Sequence, residues 1–415
     1  MQKDMRIHGI FTFILVVCFL AYDQFMRAAP QVAKYHQVKE LQLPNDLFGL
    51  MTTVAVYVFF LAQIPVGILF DHINSRILLP IAISCSALGM FFMGWSAEPI
   101  FSIAAKVFLM IGAPFTFIAM LIVAARWFPH EKFGTLSGIG QFFSTFGVLV
   151  GGVPLGLLMK YYISWRVVMV VMGTVGVILV LMCLLIVQDC PSLRGPDRAG
   201  KHRYLKELKL LFASKQMWAI GVYAFCGWGA VIVFAKHWAI PFLEERFLIT
   251  ESHARHGMMV FWLAAGVLSP FMGYLSDRWK RRIPFLVFSS AIGLISSLFL
   301  LYFSNISIPA GILLLFFLGL SVAAQILTFA FVKDLSPPTS LGASLGLNVA
   351  MSVAGGLVCN YLVNGILTFF IPGPNEYYAL SGYRIALGAL PFFFLAGLCI
   401  ALFFLRETRC RESTS

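Results

Sequence analysis

Gly67-Ile68-Leu69-Phe70-Asp71-His72-Ile73-Asn74-Ser75-Arg76 closes one long apolar run and leads into another. A second version stands at Gly273-Tyr274-Leu275-Ser276-Asp277-Arg278-Trp279-Lys280-Arg281-Arg282, again between apolar runs. Gly67 and Gly273 are 206 residues apart in a chain of 415, so one unit is written twice. A short charged turn repeated at half-chain spacing points to a two-halved membrane transporter.

The composition agrees. Hydrophobic residues make up 60% of the chain and charged residues 12%, against roughly 45–50% and 25% in soluble domains. No soluble core could bury that much apolar surface, and 41 Phe suit a bilayer as solvent. A membrane-crossing helix needs about 20 mostly apolar residues. On that ruler the chain has twelve segments, at 7–29, 47–70, 77–95, 99–125, 134–159, 165–187, 217–242, 255–275, 283–303, 308–331, 341–370 and 383–405. Six crossings separate the two charged turns, which places both in one compartment.

The net charge of +12 would suggest nucleic acid in a soluble protein. Here the cations cluster in short turns, which fits lipid headgroups and topology control, with no nucleic-acid partner. Most Lys and Arg, among them Lys3, Arg6, Lys132, Arg203, Lys206, Lys209, Arg406 and Arg409, fall on the side of the charged turns. That side is therefore the cytoplasm, and both termini lie in it. The expected location is a bacterial inner membrane. Lys3 and Arg6 followed by an apolar run through Phe25, with no small-residue cleavage site, read as a first spanning helix rather than a removed leader. Of eight Cys only Cys190 and Cys410 lie outside apolar runs, and none shows metal-ligand spacing. They read as packing residues, and no metal or cofactor is expected.

The organisation expected is a six-helix bundle over 1–187, a cytoplasmic linker at 188–216, a second bundle over 217–405 and a tail at 406–415. Within the linker, Tyr204 to Phe212 spaces basic and apolar residues for a short helix on the inner leaflet.

Gly-x-x-x-Asp followed by basic residues after the second and eighth segments resembles the major facilitator superfamily. Arg126-Trp127-Phe128-Pro129 with Gly134, and Ser164-Trp165-Arg166, are similar to it too. The resemblance covers nearly the whole chain. It implies an all-α fold of twelve transmembrane helices in two pseudo-symmetric six-helix bundles, functional as a monomer. Independently of the name, Gly67 and Gly273 allow close helix approach. Asp71 and Asp277 can accept N–H groups at the positive end of a neighbouring helix. In the superfamily such contacts form a cytoplasmic gate. By resemblance Gly67, Asp71, Arg76 and Arg126 would serve it here, with Gly273, Asp277, Arg278 and Arg281 in the second copy. His72 and Asn74 depart from the pattern, so the first latch is expected to be the weaker.

Ionisable residues inside spanning segments are costly and mark function by default. Asp23 and Arg27 are four apart on the first segment and can pair. Lys106 in the fourth resembles the superfamily's intramembrane Arg, and Lys236 and His237 lie in the outer half of the seventh. Tyr57, Gln63, Gln141, Gln325 and Asn348 are further candidates, on helices that line the cavity in the superfamily. Asn348, Ser352 and Cys359 share one face of the eleventh. Cations outnumber carboxylates in this set, which favours a substrate with a carboxylate that Arg27 or Lys106 could hold.

The expected function is secondary transport of a small organic anion or zwitterion by alternating access, coupled to protons through Asp23. Gly147 to Pro154 partly resembles the antiporter motif of drug exporters, so proton-driven efflux is the alternative. A non-transporting sensor would bind ligand without moving it. An enzyme finds no support: there is no His-Glu-x-x-His, nucleophile elbow or phosphate loop. His253 and His256 read as solvated loop residues.

Overall fold

The computed structural model describes residues 2–40, 45–95, 98–188, 201–369 and 380–410. These residues are helical almost throughout, and no strand occurs among them. Without water in the bilayer core each backbone N–H and C=O must bond within its own segment, which a helix achieves. Twelve helices are long and apolar enough to cross: Ile7–Pro30, Thr52–His72, Ser75–Trp95, Phe101–Trp127, His130–Met159, Trp165–Ile186, Lys215–Phe247, Glu251–Trp279, Ile283–Tyr302, Ile308–Leu335, Pro338–Phe369 and Leu380–Phe403. They are called spans 1 to 12 below.

The chain forms two compact units. The first comprises residues 1–130, 143–208 and 337–347, and the second 131–142, 209–336 and 348–415. Each therefore takes in the opening turns of a helix from the other half of the sequence.

Inside the first unit, span 3 packs against spans 4 and 6, and span 2 against span 4. In the second, span 9 packs against spans 10 and 12, and span 8 against span 10. The repeat read from the charged turns is thus a repeat of helix pairing. Small residues make these crossings possible. A Cβ on Gly89 would press on the backbone of Ala105 and Leu109, and one on Gly112 on Ala82 and Ser86. On span 10, Gly319 meets Phe261 and Ala264 in the same way.

A short helix, Lys34–Glu40, follows span 1. The Glu40 carboxylate accepts from Trp165 Nε1 at 2.6 Å and Arg166 Nε at 2.7 Å, and Arg166 also donates to the Gly94 carbonyl. Those bonds hold the Glu40 carboxyl below its usual range. The linker's expected helix is present as Lys201–Ala213, while residues 189–200 of the linker lie outside the described residues.

Spans 7 and 10 of the second unit are irregular, as is span 12, which turns between Ala386 and Ala389. Span 7 contains two π-helical turns, Phe225–Gly229 and Phe234–Trp238. Span 10 is interrupted between Ala324 and Leu327. The irregularities of spans 7 and 10 meet, since the Gln325 side chain lies against Gly227, where a Cβ would overlap it.

Candidate functional site

Asp23 is fully buried in the first unit. Its neighbours on span 1 set its direction. Tyr22 donates to the Met172 carbonyl on span 6 and Gln24 to Ser144 on span 5, which turns Asp23 toward span 4. There Thr116 donates to Oδ2 at 3.2 Å, and Arg27 reaches the same oxygen at 2.7 Å. The expected i, i+4 pair is therefore formed. It is incompletely satisfied, because Asp23 Oδ1 and Arg27 Nε are buried without hydrogen-bond partners.

Arg27 stacks 5.0 Å over the Phe59 ring, and buried Lys106 donates to the Thr52 hydroxyl at 2.9 Å. Thr52 and Phe59 are seven apart on span 2 and share one face. Arg27 and Lys106 thus both rest against that face, and of the two it is Arg27 that pairs with Asp23. Tyr57 lies nearly opposite Phe59 around the same helix and is exposed. Sequence reasoning missed Thr52, Phe59 and Thr116. They are ordinary residues for a spanning helix, and only packing shows what they touch.

The remaining candidates lie in the second unit. Lys236 and His237 fall in the second π-helical turn and are exposed. Gln325 stands at the break of span 10, its amide 3.5 Å from the Ser289 hydroxyl. Asn348 donates to Thr328 at 3.0 Å, joining spans 11 and 10, and Ser352 donates to the Asn348 carbonyl. Gln325 Oε1 and Asn348 Oδ1 are buried without partners. Gln141 is buried in the 131–142 segment, and Cys359 is buried on span 11. In the first unit, Gln63 is buried with neither amide atom bonded. His253 Nδ1 is bonded to the Thr250 hydroxyl and His256 Nδ1 to the Ser252 carbonyl. No group of three metal-type ligands occurs among the described residues.

The two charged turns act as helix caps. Asp71 accepts the Gly342 N–H at 2.6 Å and the Ala343 N–H at 2.9 Å, at the start of span 11. A Cβ on Gly67 would collide with the Gly342 carbonyl, so the glycine is what lets the backbones meet. Arg126 donates to the Phe70 carbonyl at 2.8 Å, and Arg76 is exposed. In the second unit Asp277 accepts from the Thr135 N–H at 2.7 Å, its hydroxyl at 2.8 Å and the Gly134 N–H at 3.3 Å. Gly273 meets the Gly134 carbonyl just as Gly67 meets that of Gly342.

The cation of the second turn differs from expectation. Arg278 and Arg281 are exposed, Arg278 bonding the nearby Tyr274 hydroxyl. Fully buried Arg282 instead pairs with Asp277 at 2.7 Å and Asp334 at 3.4 Å. The reason is local. Span 8 ends at Trp279, Lys280 turns left-handed at φ 52°, and the reversal brings residue 282 back under the helix end. Burial works against the Arg282 charge, but Asp334 and Asp277 outweigh it and leave the guanidinium more strongly protonated than usual. The tail covers this trio. Glu407 accepts the N–H groups of Arg282 and Ile283, and Thr408 donates to Asp334 at 2.6 Å. Burial at the same place pushes the Cys410 thiol up to about 11.

A family model described as Major Facilitator Superfamily matches residues 11–247 and 237–415. A probable galactarate/D-glucarate transporter of Escherichia coli K12 is 26% identical over 200 residues, 45% of this chain and 44% of its own. A nitrite extrusion protein of Bacillus subtilis is 22% identical over 258 residues, 60% of this chain and 61% of its own. A D-galactonate transporter of Escherichia coli O6:H1 is 26% identical over 189 residues, 45% and 42%. The chain thus spans about half the length of the curated relatives it matches. Among solved structures, the proton:xylose symporter XylE superposes with a TM-score of 0.74 at 14% identity, covering 98% of this chain and 97% of that one. A bacterial homologue of the human lysosomal transporter Spinster gives 0.62 at 16% identity, covering 98% and 99%. At such identities these two likenesses speak for the fold.

Proposed function

The chain belongs to the major facilitator superfamily, and from that premise we propose a secondary transporter of small organic anions or zwitterions, working by alternating access and coupled to protons. The observation that carries the reading is the group in the first unit. Buried Asp23 is ion-paired to Arg27, and both Arg27 and Lys106 lie on one face of span 2. Two cations gathered on one face of a spanning helix attract an anion, and a substrate carboxylate or oxyanion would supply one. The relatives' names support an anion, since galactarate, glucarate, galactonate and nitrite are all anions.

The same geometry supplies a coupling scheme. Ionised Asp23 neutralises Arg27. A proton on Oδ1, the oxygen without a partner, removes that negative charge and frees Arg27 for the substrate. On this reading the two capped turns are the cytoplasmic gate, formed by Gly67, Asp71 and Arg126 with Gly273, Asp277 and Arg282. Arg76, Arg278 and Arg281 belong to its exposed rim.

Thermal-shift screening of purified protein against sugar acids, short carboxylates, amino acids and cationic drugs, followed by uptake into proteoliposomes under a pH gradient, tests the proposal. Anions should stabilise, and Asp23→Asn should abolish gradient-driven uptake while leaving binding measurable. Stabilisation by cationic drugs alone would overturn it. The nitrite extrusion relative favours a second reading, in which the anion leaves the cell; release from preloaded vesicles against an opposed pH gradient would select that direction.

A further inference from the structure

We propose that the second unit carries a site for one anionic phospholipid, with Arg246 and Arg384 holding the phosphate and the groove of Leu298, Phe299, Tyr302 and Phe303 taking an acyl chain. The site lies at the ends of the helices opposite the charged turns, the outer leaflet in the expected orientation. It does not depend on the transport reading.

Arg246 stands in the last turn of span 7, and Arg384 near the start of span 12. The end of span 9 ties the two together. Arg246 donates to the carbonyl of Phe303, and the Tyr302 hydroxyl donates to the carbonyl of Arg384 at 3.2 Å. Both arginines are thus gathered at one end of span 9. Each keeps a buried Nε without an acceptor. Among the described residues neither forms an ion pair with a carboxylate. Two like charges held together in this way lack an anion with several acceptor oxygens, and a phosphate diester provides one that suits the guanidinium fork.

The apolar half of the site adjoins them. Leu298, Phe299, Tyr302 and Phe303 line an open groove of about 240 Å³. All four are exposed, from 41% at Leu298 to 55% at Phe303, and the rings of Phe299 and Phe303 stand 5.4 Å apart along it. On a spanning helix such a surface faces hydrocarbon, with Tyr302 at headgroup level. Cations at the polar end of an aromatic groove reproduce the layout of a phospholipid. The two arginines also choose among headgroups. Choline or ethanolamine would add a third cation, whereas a glycerol headgroup leaves the phosphate charge to the arginines.

The test uses the full-length protein in nanodiscs of equal phosphatidylglycerol and phosphatidylcholine, extracted into detergent and read by native mass spectrometry. The wild type should retain one phosphatidylglycerol in preference to phosphatidylcholine. Arg246→Gln with Arg384→Gln should lower that retention roughly tenfold, with the melting temperature in lipid-free detergent reporting that the variant is folded. Should the double variant fail to fold, Arg384→Gln alone carries the test, since among the described residues the Arg384 Nε holds no other element in place. Leu298→Trp, which narrows the groove and spares both arginines, should also lower retention. Equal retention of the two lipids, or unchanged retention in the arginine variants, would overturn the proposal. So would displacement of the lipid by millimolar inorganic phosphate, which would make this a site for a soluble anion.

Discussion

The turns at Asp71 and Asp277 share a backbone plan and differ in what stands behind it. In each, a glycine four residues before the aspartate lets a helix start come close, and the carboxylate receives that helix's first free N–H groups. Behind Asp277 lies a buried ionic trio with Arg282 and Asp334, closed over by Glu407 and Thr408 of the tail. Behind Asp71, the cation at the same offset, Arg76, is exposed, and span 4 contributes the basic Arg126, which bonds a carbonyl. The repeat therefore preserves the cap, which backbone geometry demands, while the cation five residues after the aspartate is buried in the second copy and exposed in the first. His72 and Asn74 suggested a weaker first turn on composition alone. The physical contrast lies instead in Arg282, Asp334 and the tail.

The sharpest way to break this contrast is at the cations. Arg282→Gln leaves two buried carboxylates uncompensated and should cost about 3–5 kcal/mol of stability. Arg76→Gln, at the equivalent but exposed position, should cost no more than about 1 kcal/mol. Chemical denaturation of both variants in detergent reads the difference, and equal losses would show that the trio contributes nothing special. Next come the caps. Asp71→Ala should cost about 1–2 kcal/mol and speed hydrogen exchange at Gly342 and Ala343. Unchanged exchange there would mean that the cap is incidental.

Glu407→Gln should cost about 1 kcal/mol, with faster exchange at Ile283, because it weakens the cap of span 9. If exchange rises instead at Gly342, the tail acts on the first turn and the contrast is misdrawn. Arg278→Gln and Arg281→Gln should each fall within about 0.5 kcal/mol of the wild type. The smallest effect concerns pH. Arg166 and Trp165 lower the Glu40 carboxyl relative to its ordinary 4.5. Its contribution is therefore present above that value and is lost as pH falls through the depressed one. Melting curves of wild type and Glu40→Gln should converge as the pH is lowered into that range, and a constant separation would rule the linkage out.

Much of this was readable in advance. Twelve apolar runs, six of them between two like turns, marked out the spans, because the length of a membrane helix is set by the thickness of hydrocarbon. Gly67, Asp71, Gly273 and Asp277 were readable as a cap and its close approach because both follow from backbone sterics and the helix dipole. The Asp23–Arg27 pair was readable because four residues is one helical turn. Arg282 was within reach and missed. Superposing the two copies at 206 residues aligns it with Arg76, but a local reading preferred Arg278 and Arg281, which stand closer to the aspartate.

Other facts required the tertiary structure. Thr116 on Asp23, Thr52 under Lys106 and Phe59 under Arg27 are contacts between helices, and their identity depends on helix rotations set by bonds such as Tyr22 to Met172. Asp334 and Glu407 reach Arg282 across 52 and 125 residues. The sequence by itself determined the number of spans, their repeat and the capped turns, because lipid and backbone geometry act on short stretches of chain. The partner of each buried charge was decided only in three dimensions, because a charge taken out of water is stabilised by whatever distant residue packing places beside it.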